Sequence, residues 1–225
     1  DAYHSYPFLK AFGGGIFAQK PNGDYDPTKV IVGSPESILG GEQLAKLGKD
    51  GILSTNVDGG IVDQVFDAGK APYAMTGPWA VEKAKKAGIS YAISPLPTIA
   101  GKQMTPFLGV QMFYVSAKAK NDAFAQEFVT KYVTRKDLQI DMYNIGFSAP
   151  APTEIYTEVA AKDADIKAWF EAGKGALPMP NIPAMNSVWG PLGQATADII
   201  AQKATAADRL KAAQTEIEAN IVKAG

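Results

Sequence analysis

Apolar side chains in this 225-residue chain recur at three- and four-residue intervals through most of its length. They alternate with polar residues only in short stretches, a pattern of many helices joined by brief strands. In "GGIVDQVFDAGKAP", Ile61, Val62, Val65 and Phe66 fall on one helical face, and Gly69 offers a C-terminal cap. Ser34-Pro35-Glu36 supplies an N-cap, a proline at the first helical position and an acidic first turn, which predicts a helix over 35–49. The Gly40-Gly41 pair in its middle weakens that prediction. Asn121 opens a helix carrying Phe124, Phe128 and Tyr132 on one face, and a second with Leu138 and Met142 ends near Gly146. A proline break follows over 148–156, then a helix over about 163–173 and the extended, three-proline run "GALPMPNIPAM". Two helices finish the chain. Val188, Leu192, Ala195 and Ile199 line the first; the second opens on Thr205 with Asp208 three residues on and buries Leu210, Ile217 and Ile221.

The strands are fewer. Asn22-Gly23 reads as a tight turn, and "TIAGKQMTPF" as a hairpin or loop. Residues 71–76 and the run "SYAISPLP" read as strands on either side of a helix that Pro78 opens and Gly88 closes, an α/β alternation. "GVQMFYVSA", 109–117, is the strongest strand candidate, with Val110, Met112 and Tyr114 alternating. The opening, aromatic through Tyr3 and Tyr6 and then glycine-rich in "AFGGGIF", reads as irregular.

Charge narrows the partners. The 22 basic and 23 acidic residues leave a net charge of -1, so no bulk attraction favours nucleic acid or an anionic membrane. No run reaches the ~18 apolar residues a spanning helix needs. The chain opens on Asp1 and not on Met, from which it is expected to be part of something longer. With no cysteine and a single histidine, thiol nucleophiles, disulfides and Cys/His zinc sites are excluded. No phosphate-binding glycine motif occurs; among 23 acidic residues some carboxylates always lie close, so a pair for glycoside hydrolysis stays open as a non-specific signal.

What stands out is the placing of aromatic residues. Trp79 follows Gly77-Pro78, Trp189 follows the proline-rich run, and Tyr3 and Tyr6 flank His4. Aromatics at the edges of elements keep one face open, which is what the apolar C–H face of a pyranose stacks on while its hydroxyls seek carboxylates and amides. Trp169, in mid-helix beside Phe170, reads as core.

These features also carry a family likeness. "GDYD", "FDAGKAPYAMTGPWA", "YAISPLPTIAGKQMTPFLGV" and "PMPNIPAMNSVWG" occur in the order and spacing seen in the maltose/maltodextrin-binding proteins of ABC transporters, and the sequence resembles that family from Asp1 to about Ile221. The resemblance implies an α/β, type II periplasmic-binding-protein fold of two lobes, with sugar held in the cleft between them. It implies a second lobe formed by 1–111 and 163–225, and a helical remnant of the first lobe over 112–162 whose apolar face lacks its sheet partners. By position, Tyr3, Trp79 and Trp189 match the family's ring-stacking aromatics, Asp1 a carboxylate for sugar hydroxyls, and Met179 a methionine lining the cleft. His4 and Tyr6 replace Phe and Trp there, His4 being counted with the ligand-binding set, and Gly59 replaces a sugar-contacting Tyr.

The resemblance therefore implies an extracytoplasmic, non-enzymatic protein that binds maltose or a maltodextrin, needs no cofactor or metal, and hands its sugar to the membrane subunits of an ABC importer. The departures at His4 and Gly59 leave trehalose, a galactoside or another oligosaccharide as the alternative ligand, and a glycoside hydrolase as a less favoured class.

Overall fold

The computed structural model describes residues 1–147 and 149–224. In chain order it contains α1 (Ala2–Ala11), β1 (Phe17–Gln19), β2 (Tyr25–Val30), α2 (Pro35–Lys49), α3 (Gly59–Asp67), α4 (Val81–Lys86), β3 (Thr98–Ile99), β4 (Lys102–Gln103) and β5 (Phe107–Leu108). There follow α5 (Asp122–Glu127), α6 (Lys136–Gly146), α7 (Thr153–Ala160), α8 (Ala164–Ala172), β6 (Leu177–Pro178), α9 (Trp189–Ile200) and α10 (Ala206–Ala224). Contacts divide the chain into two units, one of residues 1–62, 96–108 and 173–225, the other of 63–95 and 109–172.

The first unit is built on four helices. Leu9 of α1, Leu44 of α2, Leu192 and Ile199 of α9, and Leu210 and Ile217 of α10 are fully buried, as the helical spacing of the last four predicts. Ile221 is half-buried. The Gly40-Gly41 pair that weakens α2 as an isolated helix is explained by its neighbours. A Cβ on Gly40 would lie 2.4 Å from the Phe8 carbonyl oxygen, and one on Gly41 2.8 Å from Leu210 Cδ1. Tertiary contact overrides helix propensity here.

Ser34 caps α2 as predicted, accepting the Ser37 N–H, and Thr205 accepts the Asp208 N–H at 3.1 Å. The buried Ser37 hydroxyl donates to the Ile31 carbonyl at 2.8 Å and accepts the Gly15 N–H at 3.1 Å, tying α2 to the β1–β2 hairpin. That hairpin pairs Phe17 with Val30 and Gln19 with Tyr25 around Asn22-Gly23. β3 and β4 form the second hairpin, turning through Ala100 and Gly101 at φ 47 and 75. β5 and β6 pair in parallel, Phe107 beside Leu177.

One expectation is corrected in this unit. The opening segment is not irregular but helical. Asp1 caps α1, and Tyr6, Phe8 and Leu9 are buried. This burial offsets the ladder bond that Pro7 removes.

The second unit is mostly helical, with a core of Tyr143, Ile155, Val159 and Ile166 against which Ile140, Tyr156 and Ala160 pack. α3, whose first four residues belong to the first unit, forms with its cap as predicted, the Gly69 N–H donating to the Phe66 carbonyl at 2.8 Å. α8 corresponds to the helix expected over 163–173, whereas α7 begins inside the proline-rich region read as a break and runs four residues past it. The start of that break, Ser148, lies outside the described residues.

The strands expected over 71–76, 90–97 and 109–117 do not form. A strand pattern needs a neighbour to receive its backbone groups, and no described strand pairs with these segments. Val110, Met112, Phe113 and Tyr114 are consequently exposed. Phe124, Phe128 and Tyr132, expected on an uncovered apolar face, are also exposed, and the last two lie in a π-helical turn that continues α5.

Candidate functional site

In the first unit the site begins at the first turn of α1. The Asp1 carboxylate accepts the His4 backbone N–H at 2.9 Å, and both its oxygens lie on His4 Nδ1, at 3.0 and 2.8 Å. Because an ionised carboxylate only accepts, Nδ1 is the protonated ring nitrogen. One residue thus caps the helix and fixes the tautomer of its neighbour.

Gly59, the first residue of α3, abuts this imidazole. A Cβ there would stand 3.1 Å from His4 Cε1, tighter than ordinary contact, so the absence of a side chain at 59 and the presence of a ring at 4 are sterically linked.

Tyr3 meets His4 edge-on, with centroids 5.3 Å apart at 74°, and leans on Phe107 at 5.6 Å. Phe107 in turn stacks on Tyr6 at 3.6 Å and 12°. Burial raises the phenol pKa of both Tyr3 and Tyr6, more strongly for Tyr6, so both remain neutral donors at physiological pH.

Phe107 owes its place to the β5–β6 pair. The same pair sets Met179, whose N–H donates to the Leu108 carbonyl at 3.1 Å, and which is half-buried. The Tyr25 hydroxyl donates to the Pro178 carbonyl at 2.6 Å, bracing the segment just before Met179. A cavity of about 180 Å³ lies among Tyr6, Lys10, Tyr25, Phe107, Leu177 and Pro180.

Trp189 opens α9 and is half-buried. One turn on, a Cβ at Gly193 would lie 3.7 Å from the Ala2 nitrogen, so the face of α9 shared by these two residues turns toward the start of α1. The first unit thus joins Asp1, Tyr3 and His4 in direct contact and carries Met179 and Trp189 on neighbouring elements.

Trp79 belongs to the second unit. A Cβ on Gly77 would fall 2.2 to 2.6 Å from Cζ3, Cη2 and Cε3 of the indole, so the six-membered ring rests on the Gly77 backbone. Gly77 is extended, at φ -130 and ψ -175. Its role is therefore to leave room for the ring rather than to adopt a special turn. With one face seated, the residue is still 55% exposed.

Phe107 and Tyr25 escaped the sequence reading. Phe107 sits in a two-residue strand too short for periodicity to reveal, and Tyr25 looked like an ordinary residue after a turn. Among the described residues, no group of three His, Asp or Glu side chains is arranged to hold a metal ion, and no helix is long and apolar enough to cross a membrane.

Residues 2–171 match the family described as bacterial extracellular solute-binding protein. The galactooligosaccharide-binding protein of Bacillus subtilis (strain 168) is 31% identical over 208 residues, covering 90% of this chain and 49% of that protein. The maltotriose-binding protein of Pyrococcus abyssi (strain GE5 / Orsay) is 30% identical over 212 residues, covering 89% of this chain and 44% of that protein. Among solved structures, the Thermus thermophilus maltotriose-binding protein bound with maltotriose superposes with a TM-score of 0.88 at 30% identity, over 98% of this chain and 59% of that one. The chain spans about half the length of the relatives it matches.

Proposed function

From a chain that belongs to the bacterial extracellular solute-binding proteins and has their type II periplasmic-binding fold, we propose an oligosaccharide-binding function with a maltodextrin-type ligand. Membership of this family places the chain outside the cytoplasm and supports reading it as a binding protein. In this reading the sugar is bound and released unchanged, for delivery to the membrane subunits of an ABC importer.

The observation that carries the reading is the seating of Trp79. An indole with one face against a glycine backbone and more than half its surface exposed is a rigid platform for the apolar face of a glucosyl ring. Tyr3 and Trp189 act as further stacking faces, Met179 as an apolar wall, and the Asp1–His4 pair as the hydrogen-bonding group for hydroxyls. The lobe boundaries, 1–111 with 163–225 for one lobe and 112–162 for the other, belong to the same proposal.

A second reading, a galactooligosaccharide ligand, is favoured by the 31% identity to the Bacillus subtilis protein of that name and by the polar imidazole beside a side-chain-free position 59. Titration with maltotriose and with a galactooligosaccharide, followed by tryptophan fluorescence, separates the two. Saturation by maltotriose at the lower concentration supports the first reading, and the reverse order supports the second. Sugar recovered intact afterwards distinguishes both from a hydrolase.

A further inference from the structure

The second unit holds a polar cluster around Lys85, on the helix that follows Trp79. Lys85 Nζ lies 2.9 Å from Asp165 and 3.8 Å from Asp163, and 5.1 Å from the centroid of the Phe147 ring. The Tyr91 hydroxyl donates to Asp165 at 2.6 Å, the Tyr143 hydroxyl donates to Asp163, and the Asp165 N–H donates to the other Asp163 oxygen at 2.8 Å. All three charged side chains are partly shielded, with 24 to 41% of their surface exposed.

The cluster joins the two stretches of chain that make up this unit. Lys85 and Tyr91 come from 63–95, whereas Tyr143, Asp163 and Asp165 come from 109–172. The first stretch has little else to hold it, since only Asp63, Gly77, Val81 and Ala84 in it are buried. Tyr143 belongs at once to the cluster and to the apolar core of the second stretch. The clasp is therefore fastened to the buried core of the unit.

Trp79 rides on the loosely packed stretch. Its 3-10 turn, Pro78–Ala80, runs into α4 without a break, and Lys85 stands near the end of that helix. The direction of α4 therefore sets the direction of the Trp79 backbone.

We infer that Lys85, clasped by Asp163 and Asp165, is a positioning residue that holds the Trp79 platform in its binding orientation. This inference rests on the reading of Trp79 as a sugar-stacking residue. Lys85 touches no ligand in it; the residue acts through α4 alone.

The test uses the protein labelled with 5-fluorotryptophan, whose three tryptophans give separate ¹⁹F resonances, assigned by Trp79→Phe and Trp169→Phe. In Lys85→Met the Trp79 resonance is expected to shift or broaden while that of Trp189 stays in place. Affinity for maltotriose should fall about five- to tenfold, and Lys85→Arg should restore both. Unchanged Trp79 signal and affinity in Lys85→Met would overturn the inference, as would equal changes at Trp79 and Trp189, which mark general loosening.

If Lys85→Met does not fold, Asp165→Asn, which keeps the shape of the side chain and removes its charge, carries the same expectations. Separately, if Trp79→Ala leaves affinity unchanged, the stacking reading fails. The ¹⁹F response of Trp79 to Lys85→Met would still decide whether the clasp orients it.

Discussion

The indole of Trp79 rests on the backbone of Gly77, so closely that a single added carbon at 77 would lie 2.2 Å from Cζ3. Nothing in the dihedral angles of Gly77 requires glycine; the ring above it does. Gly77→Ala must displace the indole, because overlap at that distance cannot be relaxed by small shifts. Affinity for sugar should fall about tenfold, on the order of 1–1.5 kcal/mol for a displaced aromatic contact. Trp79→Ala should cost at least as much, while circular dichroism of both variants stays that of the parent. Calorimetric titration measures the loss.

Asp1 has two jobs, and substitution separates them. Asp1→Asn keeps a cap that can accept the His4 N–H, because asparagine is as good a cap as aspartate, but it removes the charge that fixes the imidazole. Its thermal stability should change little while sugar affinity drops. Asp1→Ala loses the cap as well, so stability should also fall, by about 0.5–2 kcal/mol. Parallel melting and binding curves on the two variants check the split.

Gly40 tests the account of the first unit's core. A Cβ there would meet the Phe8 carbonyl at 2.4 Å and Leu9 Cα at 2.6 Å, backbone atoms that cannot step aside without moving α1. Although alanine is the better helix former, Gly40→Ala should destabilise the chain by about 1–3 kcal/mol, the usual cost of overpacking. Urea denaturation would show a lower midpoint with an unchanged slope.

The tyrosine–aspartate pairs of the second unit give stability a shape in pH. Burial and then the hydrogen bond to Asp165 raise the Tyr91 phenol above its ordinary value of 10.0, and burial with the bond to Asp163 does the same for Tyr143. A raised folded pKa adds stability that is complete below pH 10 and lost as pH climbs toward the folded value. Burial alone would raise the Asp163 carboxyl, but the bonds from Tyr143 and from the Asp165 N–H, with the charge of Lys85, hold it below its ordinary 3.8. Its contribution is present above that value and lost as pH falls through the folded one. The melting temperature should therefore be level between about pH 5 and 9 and fall on both sides, and Tyr143→Phe should flatten the alkaline limb.

Much of the first unit was legible because its helices are amphipathic and plainly capped. Ser34 at α2, the Val188 to Ile199 face of α9 and the Leu210 to Ile217 face of α10 behave as their spacing predicts. The opening helix was hidden because Pro7 and a crowd of aromatics argue against a helix locally, while the burial that forms it comes from residues far away in sequence. The residues 109–117 erred in the opposite sense: alternation describes a willingness to pair, and pairing needs a neighbouring strand. For the site, the edge placement of Trp79, Trp189 and Tyr3 was visible in sequence. The Asp1–His4 bond and the stack of Phe107 on Tyr6 were not, since the first needs the helix and the second needs the parallel β5–β6 pair.

Titration of maltotriose into the protein and into Trp79→Ala under calorimetry decides whether this chain binds an oligosaccharide through its exposed aromatic faces. Saturable binding to the parent chain and at least tenfold weaker binding to the variant are expected. No heat and no fluorescence change with the parent chain at millimolar maltotriose or galactooligosaccharide, or equal affinity in the two proteins, would contradict binding through these faces.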